Sequence, residues 1–327
     1  MHKKLLNEAT FHLAIAAEGP LLVKSGTEGW DPTVPDMQFI RTRHAKLGET
    51  IFIPGSSLKG TLRSYSEKIA RTLDVFCCDP FEQGKDSPAR FCGKKAEDKS
   101  KDGGLDGGQV YQESCVACRL YGSTAIAGRA AFADAYPTID LKSHLTKRMA
   151  VAIDRVLGSV AVGPFDFEAL TEGEFTTTIR LRNFELWQLG LLGLAVRDLC
   201  LGRIRVGYGK SRGFGSVSAR LDQLELRSIV AGGLAMDDGK LSVKSIGALL
   251  SEEERGHYGI TSEAETKPIS VAANPKQSDE LLGTAFMFER EKDSANWFPP
   301  SVDALLSECV KTAWQGFIAE DKRRRAK

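Results

Sequence analysis

Five of the chain's seven cysteines fall within residues 77–118. Cys115-Val116-Ala117-Cys118 has the CxxC spacing that lets two thiolates reach one tetrahedral ion. Cys92 and either Cys77 or Cys78 would complete a four-sulfur set. Four thiolates close the coordination sphere, so the ion they select, Zn2+, would be structural and would leave no open position for catalysis. The surrounding residues, including the stretch KKAEDKSKDGG, are polar and glycine-rich and offer little apolar surface, which favours a metal as the organiser of this segment. Cys200, on an apolar helix, and Cys309, near the C-terminal helix, read as core thiols.

Two glycine-rich stretches could meet phosphate. Gly55-Ser56-Ser57-Leu58-Lys59-Gly60 follows the short apolar strand Ile51-Phe52-Ile53 and the stop at Pro54. Backbone N–H groups at a helix start bind anions, and Lys59 and Arg63 add charge there. The plainer reading is a capped helix start, with Ser56 and Ser57 as capping side chains. The spacing is not that of a nucleotide-binding P-loop. In Gly207-Tyr208-Gly209-Lys210-Ser211-Arg212-Gly213-Phe214-Gly215 the missing Cβ atoms permit close backbone approach. Lys210, Ser211 and Arg212 supply polar and charged contacts, and Tyr208 and Phe214 either stack on bases or pack inward.

These segments need elements to carry them. Alternation of Phe11, Leu13 and Ile15 predicts a strand over 9–17. Leu58, Leu62, Tyr65, Ile69 and Leu73 recur near helical spacing, predicting a helix from the glycine-serine motif to about residue 74. A second strand is predicted over 174–183, an apolar helix over 185–201, and a strand around 216–226. The order strand, helix, insertion, strand, helix, strand is that of an α+β domain resembling a ferredoxin-like sheet with long excursions. A C-terminal helix is predicted over Val302–Phe317, and the basic run Lys322–Arg325 reads as a solvated end.

Hydrophobic residues make up 42% and charged residues 27%, the composition of a globular protein. Net charge is +1, so any nucleic-acid contact must come from local cationic patches. No apolar run approaches the roughly 20 residues that span a bilayer. The start, MHKKLLNEATFH, lacks the apolar stretch of a secretory signal, and a cytoplasmic location is expected.

Taken in order, IPGSSLKGTLRS (53–64), CRLYGS (118–123) with AGRAAFADAYP (127–137), AIDRVLGSVAVGPFDFEAL (152–170) and GYGKSRGFGSV (207–217) resemble the RAMP family. In particular they are similar to the repeating backbone subunit of type III CRISPR effectors. The resemblance covers about residues 5–226, and the stretch 227–327 is read as a separate C-terminal appendage. It implies that residues 1–226 form a ferredoxin-like, RRM-like palm with a zinc-binding fingers insertion at 77–118 and a thumb hairpin at 154–171. Asp154 and Arg155 would lie at the thumb's base, and Val160, Val162 and Phe165 would wedge between bases.

The resemblance also implies partners and an activity. The partners are guide RNA, complementary target RNA and other effector subunits, copies of this chain included, with no membrane. The activity is endoribonucleolytic cutting of guide-paired target RNA. Cleaving relatives carry one aspartate in the loop before the glycine-serine motif, which points to Asp36 in Asp36-Met37-Gln38-Phe39-Ile40-Arg41, with Asp31 as the competing choice. That carboxylate would hold a divalent metal, Mg2+ or Mn2+, or help activate a ribose 2′-OH for in-line attack. Arg41, Arg43 and His44 would face the phosphate backbone. Two rivals share the scaffold. One is a non-cleaving RNA-binding subunit. The other is a guide-precursor processing ribonuclease using His12 or His44 in acid–base chemistry.

Overall fold

The computed structural model describes residues 3–26, 35–82, 84, 87, 89–101, 104, 106–278, 280–291 and 294–325. Strand β1 (Asn7–Ala17) sits inside an antiparallel sheet. Its Ala9, Phe11, Leu13 and Ile15 are buried, as a period of two requires of a strand covered on one face. The two-stranded hairpin β2 (Arg41–His44) and β3 (Gly48–Ile51) leads into helix α1 (Gly55–Thr72), which turns Leu58, Leu62 and Ala70 inward.

The insertion then builds three short helices, α2 (Cys92–Lys101), α3 (Gly107–Glu113) and α4 (Val116–Tyr121). Short strands β4 (Ala130–Phe132) and β5 (Tyr136–Pro137) follow. Next comes a separate hairpin, β6 (Leu145–Ile153) with β7 (Val160–Leu170). Strand β8 (Glu174–Arg182), helix α5 (Leu186–Cys200) and strand β9 (Val217–Ser228) return the chain to the sheet.

Sheet order is β13-β14-β9-β1-β8-β4, with β5 also on β8. Ile179 of β8 and Leu224 of β9 lie opposite Phe11, so three strands contribute to one apolar layer. The predicted spans of β1, β8, β9, α1 and α5 agree with the observed ones to within two residues, because their periodicity is strong, whereas the strand expected at 51–53 runs over Gly48–Ile51. Strands β4 and β5 were not legible, since three and two residues carry no period.

Residues 227–327 do not stand apart, a correction to the expected appendage. They form a three-stranded sheet from β10 (Leu234–Asp237), β11 (Lys240–Val243) and β12 (Ile269–Ala272), with short helices α6 (Ile246–Leu249) and α7 (Glu252–Tyr258). They then give β13 (Lys276–Ser278) and β14 (Thr284–Glu289) to the main sheet beyond β9. Helix α8 (Pro300–Glu308), a π-helical turn (Cys309–Trp314) and helix α9 (Gln315–Arg325) close over α5. Trp187 of α5 stacks on Phe317 at 4.6 Å and on Trp314 at 5.8 Å. This explains why α5 is apolar all round: the sheet covers one side and the C-terminal helices the other.

Candidate functional site

The cysteine centre forms at the start of α4. Cys115 caps that helix, its sulfur accepting the Cys118 N–H at 3.5 Å. The sulfurs of Cys78, Cys92, Cys115 and Cys118 all lie within 4.8 Å of one another, and all four residues are buried. Cys78 is 3.6 Å from both Cys115 and Cys118. Four sulfurs about 2.3 Å from a tetrahedral ion stand about 3.8 Å apart, so the set fits such a metal. Cys77 is buried beside the group but is not one of the four. Hydrogen bonds led by that from Cys118 pull Cys115 well below the usual thiol range, while hydrogen bonding to Cys115 pushes Cys118 and Cys92 above it. Thiols this close cannot all ionise without a cation among them.

Arg63 is turned toward this centre. Its guanidinium donates to Cys118 Sγ at 3.4 Å, to the Gly122 carbonyl at 2.9 Å and to Glu67 Oε1 at 2.9 Å. Burial opposes its charge, but the bonds to Glu67 and Cys118 outweigh this and hold it above the ordinary guanidinium range.

The start of α1 also departs from expectation. Pro54 is the N-cap, with no side-chain cap bond, so Ser56 and Ser57 lie inside the first turn. The Gly55 N–H is taken by Asp134 Oδ1 at 2.8 Å. A Cβ at Gly55 would come within 2.4 Å of the Phe132 carbonyl, so this glycine serves packing of the 130–137 segment. Ser56 is exposed, and Ser57 and Lys59 are partly exposed. Burial, then Arg63, lowers the Lys59 pKa.

A second centre gathers on β7. Alternation places Asp166 and Glu168 on one face of the strand and Phe167 on the other. On the first face, Asp36 is exposed and its Oδ2 accepts the Asp166 N–H at 3.1 Å. The Met37 N–H donates to the Asp166 carbonyl at 3.1 Å, and the Glu168 N–H to the Met37 carbonyl at 2.9 Å, making a short parallel pairing. Lys147 pairs with the Asp166 carboxylate. Arg41 pairs with Glu168 Oε1 at 2.5 Å.

On the other face, Phe167 packs against Phe214 at 5.8 Å and Tyr208 at 6.3 Å. The glycine-rich loop is thereby docked by its aromatics turning inward. A Cβ at Gly207, where φ is +85°, would meet the Leu22 carbonyl at 2.3 Å, so only glycine permits this approach. Lys210, Ser211 and Arg212 stay exposed. Burial, then Lys68, lowers the Lys210 pKa, which places the far end of α1 beside this loop. Arg205 donates to the Lys210 carbonyl at 2.8 Å, and Arg148 lies over the Phe214 ring at 5.9 Å. Sequence reasoning did not single out Lys68, Lys147, Arg148, Arg205 or Glu168; the first four lie in no motif, and Glu168, inside the 152–170 string, carries no local signal of its partners.

The hairpin itself differs from expectation. Residues 154–171 supply only its turn and second strand. Asp154 and Arg155 lie at the tip, where Asp154 Oδ1 accepts the N–H groups of Val156 at 2.8 Å and Leu157 at 2.7 Å. Those bonds, that from Leu157 first, lower the Asp154 pKa. Phe165, opposite Ala150 midway along the hairpin, is half-buried and lies 5.3 Å from Phe167. The exposed apolar side chains include Val156 (91%), Leu157 (79%), Met149 (70%) and Val162 (65%), with Ile153, Val160 and Val151 also exposed.

Elsewhere, Arg43 is exposed on β2, and the His44 ring packs on Tyr136 at 4.7 Å, tilted by 42°. His12 lies apart, in an open groove of about 570 Å³ with Asp134, Tyr136 and Asp222. Asp31 lies outside the described residues.

Fold and sites together define an α+β protein built on one antiparallel sheet, with a projecting hairpin and a buried four-cysteine centre. The family model of the RAMP superfamily matches residues 15–218, and the chain belongs to that superfamily. Membership implies a CRISPR-associated, RNA-binding role. No curated protein matches the chain. No helix among the described residues is long and apolar enough to cross a membrane.

Proposed function

We propose that this chain is a guide-RNA-binding backbone subunit of a type III CRISPR effector complex and that it cuts the target RNA paired with the guide. In this reading the sheet with α1 and α5 is the ferredoxin-like palm, the 145–170 hairpin is the thumb, and the cysteine segment is a zinc-binding fingers insertion. The observation that carries it is the bond between Asp36 and Asp166 of a hairpin whose far end exposes apolar side chains.

The chemistry follows from that arrangement. Apolar side chains at the hairpin tip can unstack a base step, at a cost of a few kcal/mol offset by added protein contact. The distorted step can bring a ribose 2′-OH in line with its neighbouring phosphate, and such positioning supplies much of a phosphoryl-transfer rate. Asp36 accepts the 2′-OH proton or orients it, while Lys147 and the cations around Lys210 and Arg212 hold the strand. Among the described residues only the cysteines form a group of three or more metal-ligating side chains. A Mg2+ or Mn2+ at Asp36 would therefore take most of its ligands from RNA and water, as Mg2+ commonly does, and would neutralise charge at the phosphate.

The test is cleavage by the complex assembled with guide RNA. Asp36→Ala should leave assembly and target binding intact and abolish cutting. Undiminished cutting in both Asp36→Ala and Asp31→Ala would overturn the assignment. Metal-independent cutting of guide precursor that stops on His44→Ala would replace it with the processing reading.

A further inference from the structure

We infer that Glu168 is the positioning residue that locks the Asp36 segment to the hairpin, so that hairpin and carboxylate move as one body. The inference rests on the reading of Asp36 given above. Both oxygens of the Glu168 carboxylate are engaged by that segment. Oε2 accepts the Phe39 N–H at 2.8 Å, and Oε1 accepts from the Arg41 guanidinium at 2.5 Å. Arg41 closes the ring by donating to the Phe39 carbonyl at 3.0 Å. The Glu168 side chain is 12% exposed, so its bond to Phe39 is partly shielded from water, while the Arg41 side chain, 33% exposed, meets solvent.

The backbone of the segment is held at two places. It pairs with β7 through an isolated bridge at Met37, and with residues 23–25 through a bridge between Lys24 and Phe39 and bonds from Ile40 to Val23 and from Ser25 to Gln38. Asp36 itself is exposed. The carboxylate of Glu168 is the side-chain clamp that fixes Phe39 and Arg41, three and five residues after Asp36. A segment so clamped keeps Asp36 in register with Asp166 when the hairpin is displaced by RNA. Loss of such register by about 1 Å can cost on the order of 100-fold in rate.

The experiment uses the assembled complex and compares wild type, Glu168→Ala, Glu168→Gln and Asp36→Ala. Single-turnover cleavage at saturating target RNA, target affinity, and amide hydrogen exchange over 35–41 are read on the same preparations. Glu168→Ala should speed exchange over 35–41 by about tenfold or more. It should slow cleavage about 10- to 100-fold with target affinity within about twofold. Glu168→Gln keeps an acceptor for the Phe39 N–H and the side-chain volume. It should restore most of the exchange protection and part of the rate, and it serves as the test should the alanine variant fail to fold. Wild-type exchange, or faster exchange with an unchanged cleavage rate, in Glu168→Ala overturns the inference. Cutting by Asp36→Ala at the wild-type rate would instead sink the reading of Asp36, while the exchange data would still decide whether Glu168 holds the segment.

Discussion

Arg63 shows how a residue's role is set by its partners. It stands in a motif that invites a phosphate reading, yet three of its donors go to Cys118, Gly122 and Glu67. Removing it would leave Glu67, 7% exposed, with only the longer pair to Arg71 at 3.5 Å. Arg63→Ala should therefore cost about 2 kcal/mol of stability. It should also speed metal loss to a chromogenic chelator, with little effect on RNA affinity measured on the protein that remains folded. Glu265 offers a second test. It is fully buried, its carboxylate accepts the Leu186 N–H at 2.7 Å and the Trp187 N–H at 3.0 Å, and burial, then Glu185, raises its pKa to about 8. An acid whose folded-state pKa is raised keeps its proton while the unfolded chain loses it. Stability should thus fall as pH rises from about 4.5 to 8 and level off above. Glu265→Gln, which cannot ionise, should flatten that slope in chemical-denaturation curves recorded across the window.

At the scale of elements, the hairpin and the glycine-rich loop give opposite expectations. The hairpin tip touches little of the rest of the chain. A double substitution Val156→Ser and Leu157→Ser should change folding stability by no more than about 0.5 kcal/mol. It should weaken the unstacking of target RNA, read with a fluorescent base analogue at the displaced step. The glycine-rich loop is held by close backbone approach, so Gly207→Ala should cost about 2 kcal/mol through strain at its positive φ and collision with Leu22. Limited proteolysis at 207–215 should report that loosening.

The whole molecule is closed by its last hundred residues. Strand β14 covers the edge of β9, and Trp314 and Phe317 cover Trp187. A fragment ending at residue 226 would expose an apolar helix face and an unpaired strand edge. It should aggregate or fail to melt cooperatively, where the full chain melts in one transition. Residues 227–327 were read as separable because their own elements are short, and a short edge strand announces its sheet partner through no local pattern.

The chain's amino-acid order determined what is local. The CxxC pair and its polar surroundings marked a four-sulfur centre, alternation marked β1, β8 and β9, and glycine-rich strings carried the family likeness. Tertiary structure decided what depends on residues far apart in the chain: Cys78 and not Cys77 among the four clustered sulfurs, Arg63 turned toward a sulfur, Phe165 opposite Ala150 midway along the hairpin, and Asp36 beside Asp166. The reason is physical. Spacing of a few residues fixes which side chains share a helix turn or strand face, whereas a contact across 130 positions, as between Asp36 and Asp166, exists only once the sheet has brought two distant segments together.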